Sequence, residues 1–462
     1  MNKSLSVVFF LLAGWLGLVQ SAHAQTLNEA LIAAYLNNPT LLAQRAKLRA
    51  VDEQVPQALS NWRPTMEIES DAGVSASYKN LTSGDDPDRR QHREPRSLSL
   101  TLDQPLFRGG RTLAATSEAE NTVKAERARL LDVEQTVLLD VVKAYMDVFR
   151  DQAVLELNIN NEQVLKRQLE ASRDRFEVGE TTRTDVHQSE ARLARETADR
   201  IQAEGDLIVS RASYRNTVGE IPGGLIRPEA PAGLPTSEAE AISAAAIDNP
   251  IVIEAEFDER ASLDDVAEVR GELLPSVDLE GSASRAFNSS GKDSRSDTYT
   301  AKVTLSVPLY QSGSVYSRLR EARQTAAELR RKIDQARRDA TEEATQAWEG
   351  LQTARARIES FLSQIKANEI ALEGVEREAA VGSRTVLDIL DAEQELLDAR
   401  VDLVRAKRDE MVAIYELKKA MGQLTAGQLQ LPVDFYDPEV HYRQVRYKWF
   451  GGAIQGGIGK NR

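Results

Sequence analysis

Two segments place a threonine three residues before an aspartate: Thr182 with Asp185, and Thr385 with Asp388. At that spacing a hydroxyl and a carboxylate can close a capping box at the start of a helix, with Asp in place of the preferred Glu. Helix capping alone can therefore account for both aspartates. Asp391 has no such account. Its counterpart in the first segment is Gln188, so the second segment carries one extra carboxylate, three residues beyond Asp388 and on much the same helix face.

Other chemistry has little to work with. The chain has no cysteine and four histidines. His23 falls in the N-terminal leader, His92 in a polar loop, His441 in the tail, and His187 stands by itself near the first Thr-Asp segment, where it reads as a packing or solvated residue. A metal site needs ligands clustered by spacing, and that clustering is absent. The phosphate-binding pattern G-x-x-x-x-G-K-[ST] is absent as well, so an energy source must come from a partner. The sequence predicts neither an enzyme nor a cofactor or metal.

The elements that position these segments come in two copies. Asn38-Pro39 recurs as Asn249-Pro250 and Pro64 as Pro275, displaced by 211 residues. Pro105 recurs as Pro308, Gly179 as Gly382, Asp185 as Asp388 and Gly219 as Gly422, displaced by 203. A constant offset on either side of one length change marks a duplicated unit with a loop insertion. The expected organisation is a signal peptide over 1–24, a first repeat over 25–221, a linker over 222–237, a second repeat over 238–430 and a partly disordered tail over 431–462.

Lys3, the apolar run from Val7 to Val19 and the small-x-small pattern Ser21-Ala22-His23-Ala24 predict export, with a mature chain starting at Gln25. The apolar run is short of the roughly 20 residues that span a bilayer as a helix. Without Lys3 the balance is 57 basic against 72 acidic residues. Such an excess argues against nucleic-acid binding. It suits a surface that favours cations, and it equally suits solvated helices. Beyond residue 24 no long uncharged apolar run occurs, so a membrane would have to be entered by strands.

Four segments have the required alternation. Met66-Glu67-Ile68-Glu69-Ser70-Asp71-Ala72 and Leu98-Ser99-Leu100-Thr101-Leu102-Asp103 lie in the first copy, Val277-Asp278-Leu279-Glu280 and Ala301-Lys302-Val303-Thr304-Leu305-Ser306-Val307 in the second. Each sits in a stretch of about ten residues, the length of a tilted transmembrane strand. Polar stretches between the strands, from Lys79 to Arg96 and from Asn288 to Asp297, read as loops, the first absorbing the insertion. Trp62, Phe107 and Tyr310 near the strand ends fit an interfacial belt. Four strands cannot stand alone in a bilayer, because open edges leave backbone groups unpaired and small barrels need about eight strands.

The remainder of each copy reads as helix. Between residues 113 and 178 there is neither Gly nor Pro, which predicts an unbroken helix about 100 Å long. In the second copy Leu390, Leu397, Val404 and Met411 recur every seven residues, with Val401 and Tyr415 four after members of that series, a pattern of paired, left-handed packing. Gly179 and Gly382 end the outgoing helices, and Thr182 and Thr385 start the returning ones.

With the duplication, the strands, the long helices and the tip Val381-Gly382-Ser383-Arg384-Thr385-Val386-Leu387-Asp388-Ile389-Leu390-Asp391-Ala392, the chain resembles the TolC family of outer-membrane channel-tunnels over essentially its whole mature length. The resemblance implies a mixed α and transmembrane β fold: a homotrimer whose twelve strands close one barrel, continued by a coiled-coil helical tunnel across the periplasm. It implies a pore constriction at Asp388 and Asp391, and an inter-chain latch of Arg384 with Thr184 and Asp185. Ala379 stands where some members have a gate tyrosine. Three copies of Asp388 and Asp391 would ring a narrow opening with carboxylates, attracting cations and titrating as a coupled set.

The implied partners are outer-membrane lipid, a periplasmic adaptor and an inner-membrane transporter. The tail, Tyr436-Asp437-Pro438-Glu439-Val440-His441-Tyr442-Arg443 through Lys448-Trp449-Phe450, resembles the ending of the type I secretion branch. The expected function is the passive outer-membrane exit duct of a tripartite export system, for secreted proteins, drugs or both. A periplasmic coiled-coil scaffold without a pore is the alternative from another class.

Overall fold

A computed structural model describes residues 25–79, 89–291 and 293–452. The leader, most of the polar stretch after Lys79 and the final residues of the tail lie outside the described residues, and so do the expectations that fall on them.

Each copy runs helices, strands, then a long helical hairpin. The first comprises α1 (Leu27–Asn37), α2 (Pro39–Asp52), α3 (Gln54–Ser60), β1 (Thr65–Ala72), β2 (Ser75–Lys79), β3 (Arg89–Arg93), β4 (Arg96–Arg108), α4 (Arg111–Glu177) and α5 (Arg183–Val218). The second comprises α6 (Glu238–Asp248), α7 (Pro250–Gly271), β5 (Ser276–Phe287), β6 (Arg295–Ser306), α8 (Ser314–Ala380) and α9 (Val386–Ala420), and a short α10 (Glu439–Val445) lies in the tail. Helices α4 and α8 are each 67 residues long, about 100 Å at the usual rise.

Helix α8 buries Leu319, Ala326, Ile333, Ala340, Ala347 and Ala354, every seventh residue. That strict period keeps one seam facing its neighbours, and the alanines in it permit close approach. Leu390, Leu397, Met411 and Tyr415 on α9 are buried, as their spacing predicts.

The strands form one antiparallel sheet in the order β1-β4-β5-β6, so the copies join side by side through β4 and β5. The register puts Ile68 opposite Leu100, Leu279 opposite Val303 and Val277 opposite Leu305 on one face. The other face carries Glu67, Glu69, Glu280 and Lys302. Side chains alternate across a strand, so these two sets cannot mix. The expected loop after Lys79 is partly a ribbon: β2 and β3 pair from Ser75 with Arg93 to Lys79 with Arg89, and the Gly73 N–H donates to the Pro95 carbonyl at 3.0 Å just below them. Backbone pairing extends the hairpin regardless of its polar side chains.

The main core lies midway down the helices. Leu31, Leu41, Leu138, Tyr145, Tyr214, Leu351, Ile414 and Leu417 are all but inaccessible there. The repeated Asn-Pro corners fasten this level. Asn38 Oδ1 accepts from the Thr40 N–H at 2.9 Å while its Nδ2 donates to the Thr217 carbonyl at 2.9 Å. Asn249 repeats the arrangement with Ile251 at 2.9 Å and the Ala420 carbonyl at 3.1 Å. One side chain thus starts a helix and caps the end of another, and proline at N1 sacrifices no needed donor. The linker is stitched on by the Tyr145 hydroxyl, which donates to the Ile226 carbonyl at 2.5 Å and accepts from the Ile226 N–H at 3.0 Å.

The described part of the tail is docked, as is the segment that leads into it. The Ala426 N–H donates to Glu134 Oε1 at 2.8 Å, the start of a climb along α4. Arg45 lies between the rings of Tyr35 and Tyr436, 4.4 and 5.1 Å from their centroids. On α10, His441 is buried, with Nδ1 3.0 Å from Oδ2 of the fully buried Asp52.

Candidate functional site: the tips of the helical hairpins

The two hairpins turn by the same device. The Gly179 N–H donates to the Phe176 carbonyl at 3.0 Å and the Glu180 N–H to the Arg175 carbonyl at 2.9 Å. In the second copy Gly382 donates to Ala379 at 3.0 Å and Ser383 to Glu378 at 2.9 Å. This is the doubly bonded helix ending that requires a left-handed residue, and Gly179 and Gly382 have φ of +80° and +81°. Ala379 therefore has a local task, to offer the carbonyl that closes the turn.

Capping boxes restart both helices. Asp388 Oδ2 accepts from the Thr385 N–H and hydroxyl, each at 2.8 Å, and the Asp388 N–H returns a bond to Thr385 Oγ1 at 3.3 Å. Asp185 Oδ2 accepts from the Thr182 N–H at 3.0 Å and from the hydroxyls of Thr182 and Thr181 at 2.7 Å each. These bonds favour the ionised form. The Thr385 N–H and then its hydroxyl hold the Asp388 carboxyl below the ordinary range, with Arg384 adding less. The hydroxyls of Thr182 and Thr181, then the Thr182 N–H, do the same for Asp185.

The expected site residues are thus unequally employed. Asp388 caps α9. Asp391, one turn further on, is paired with Arg192 of α5, tying the second hairpin to the first. Arg384 spends its guanidinium on its own tip, bonding Glu378 Oε2 at 2.9 Å with Asp388 Oδ1 at 3.8 Å. Thr184 is exposed beside Asp185 in the first turn of α5. Within one chain Arg384 and Asp185 are each taken up by their own tip, so the structure gathers Arg384 and Asp388 and leaves Thr184 and Asp185 on the other hairpin.

Residue reading overlooked three members of the site. Arg192 and Glu378 are ordinary helix charges in the sequence, and only folding shows their partners. Glu393 lies two residues past Asp391, and one carboxyl oxygen is buried without a hydrogen-bond partner. Burial pushes Glu393 up to about 7, with Glu376 adding and Arg167 opposing. His187 is exposed, the solvated of its two expected readings, and it lies 3.3 Å from Arg183 Nε and 3.0 Å from Glu190 Oε2 on the surface of the first tip. Its repeat counterpart Leu390 is buried. Among the described residues no cluster of three His, Asp or Glu is arranged to hold a metal, and no helix is long and apolar enough to cross a membrane.

Comparison with known proteins decides what these tips belong to. The family model described as "Outer membrane efflux protein" matches residues 31–220 and 241–423, one stretch in each copy. The chain belongs to this family. A relative named outer membrane efflux protein BepC, from Brucella suis, is 34% identical over 450 residues, 97% of this chain and 96% of that protein. The outer membrane protein TolC of Vibrio cholerae is 27% identical over 422 residues, 89% of this chain and 94% of that one. Among solved structures the outer-membrane channel OprN superposes with a TM-score of 0.75 at 22% identity, covering 86% of this chain and 89% of that one. The fold is thus that of the channel-tunnels. As an outer membrane efflux protein the chain resides in the outer membrane.

Proposed function

We propose that the chain is one protomer of a homotrimeric exit channel that passively conducts substrates outward for a tripartite export system. One observation carries the reading: a four-stranded sheet with unpaired outer edges on β1 and β6 and with Ile68, Tyr299, Val303 and Leu305 exposed. In hydrocarbon every unpaired backbone group costs several kilocalories per mole, so β6 of one copy must pair with β1 of the next until the sheet closes. Two copies reach the smallest barrels and three give twelve strands, the number the family resemblance implies. The helices continue from the strand ends as a tunnel in the periplasm.

Closure is set at the tips. Asp388 and Asp391 from each copy form the constriction, and Arg384 latches to Thr184 and Asp185 of a neighbouring copy by a charge-assisted contact that breaks on dilation. Arg192 holds Asp391 in place between the hairpins, and the contact of Arg384 with Glu378 is the arrangement that competes with the latch. The chain has no nucleotide-binding loop, so an inner-membrane transporter drives transport through a periplasmic adaptor. The cargo is secreted protein, small toxic compounds or both.

Conductance in planar bilayers tests the reading, because a scaffold without a pore has no reason to conduct. The wild-type channel, nearly closed at the tips, is expected to conduct weakly, to select cations and to be blocked by multivalent cations. Replacing both aspartates, Asp388→Ala with Asp391→Ala, should weaken that block about tenfold or more, as expected when a ring of charges is removed from a pore. Unchanged block sinks the assignment of the constriction.

A further inference from the structure

The docked tail climbs towards the membrane. Just ahead of it the Ala426 N–H meets Glu134 on α4, and the contacts then move to Arg127, 3.3 Å from Glu439, and to Glu120, 2.5 Å from Arg446. From Glu134 to Glu120 is a rise of about 21 Å along the helix axis. The next contact is with the base of the sheet. Arg63, two residues before β1, donates to the Lys448 carbonyl at 2.9 Å and lies 4.9 Å from the centroid of the Trp449 ring.

What arrives there is aromatic and exposed. Tyr447, Trp449 and Phe450 are 71%, 57% and 86% accessible. Phe107, Leu309 and Tyr310, at other places where strands meet helices, are also exposed. Rings with a polar edge beside arginine and lysine are the composition that settles at the headgroup level of a bilayer. A buried docking site for another chain would not need basic side chains between the rings, and the climb ends where the apolar sheet face begins.

We propose that residues 447–450 are an interfacial anchor, with the aromatic side chains set into the periplasmic leaflet of the outer membrane and Arg63 fixing their height. The inference rests on the membrane placement of the sheet given above. It adds a second lipid contact that belongs to the tail and not to the duplicated unit. The tail would then act as a strap, fastened at one end by the buried His441–Asp52 pair and at the other by lipid. Only one of the two pseudo-equivalent sides of each protomer carries it.

Three of the four tryptophans, those remaining once the leader with Trp15 is removed, report on three heights. Trp62 is at the base of the sheet, Trp449 is in the tail, and Trp348 packs against the main core, about 50 Å along α8 from its start. Single-tryptophan variants made by Trp→Phe exchange of the other two would be reconstituted as trimers in phosphatidylcholine vesicles, either plain or brominated near the headgroup. A ring lying about 5–10 Å into the headgroup boundary should lose roughly half its emission to bromine, so Trp449 is expected to be quenched and Trp348 unaffected. Trp449 as bright as Trp348, with Trp62 quenched, overturns the anchor and leaves the channel reading standing. If Trp62 also escapes quenching, the membrane placement fails and the anchor with it.

Discussion

At the scale of the residue, the tip aspartates show why one residue type can hold two jobs. Asp185 and Asp388 are bound by their own threonines, which fixes their rotamers and keeps them ionised to lower pH. A pore lined by pre-oriented carboxylates needs no reorganisation to meet a cation. Glu393, just behind them, behaves oppositely. Its folded-state carboxyl titrates near about 7 against an ordinary 4.5, so between those values the folded chain holds a proton that the unfolded chain has lost. Stability must therefore fall as pH rises through that window. Glu393→Gln should remove this share of the slope, on the order of 1 kcal/mol, and raise the melting temperature at about pH 8 relative to wild type while changing it little at about pH 5. Glu118, raised to about 7 by burial and by Asp265 and Glu268, keeps its own part of the slope. Thermal melts of both proteins across that range check it, and parallel pH profiles would refute it. The capping spacing was readable from the sequence. The bond from Arg192 to Asp391 was not, because its members are separated by a whole repeat.

At the scale of the element, the duplication is best tested where equivalent positions have unequal surroundings. Gly219 and Gly422 end the two returning helices with φ of +91° and +73°. A Cβ at Gly219 would meet open space, whereas one at Gly422 would lie 2.2 Å from the Asp248 carbonyl oxygen. Gly219→Ala should cost only the left-handed backbone penalty, about 1–2 kcal/mol. Gly422→Ala adds a clash with backbone that cannot swing aside, for about 2–5 kcal/mol in all. Urea titrations of the two variants measure the difference, and equal losses would mean that the α6–α7 corner is not held against α9. The repeat offset made these glycines equivalent in sequence. Their inequality lies in how closely each helix end approaches its surroundings, the Asp248–Asn249 corner at Gly422 and nothing within 4 Å at Gly219, which no local pattern encodes.

At the scale of the whole molecule, the sheet is half of a larger argument. Val303 is 63% accessible on the apolar face, while its neighbour Lys302 pairs with Glu280 at 2.6 Å on the other. In a closed barrel Val303→Arg would place a charge in lipid and cost about 2–4 kcal/mol near the midplane, whereas Lys302→Gln would cost little. Folding yields of the two variants into phosphatidylcholine vesicles, compared with detergent, test which face meets lipid. If both fold equally well into vesicles, the assignment of faces is reversed or the barrel absent.

The sequence by itself determined the duplication, the alternation of the strands, the unbroken long helices and the paired turns. Each of these is written in spacing along the chain, through the period of a strand, the period of a helix and the φ that glycine permits. It also fixed that Asp391 has no equivalent in the first copy. Only the tertiary structure decided that Asp391 meets Arg192, that Glu393 is buried, that Arg89–Arg93 pairs with Ser75–Lys79 as a ribbon, and that the tail climbs α4 with His441 locked on Asp52. Those contacts join residues tens to hundreds of positions apart. Their energies depend on burial and on partners brought close by folding, so no spacing announces them.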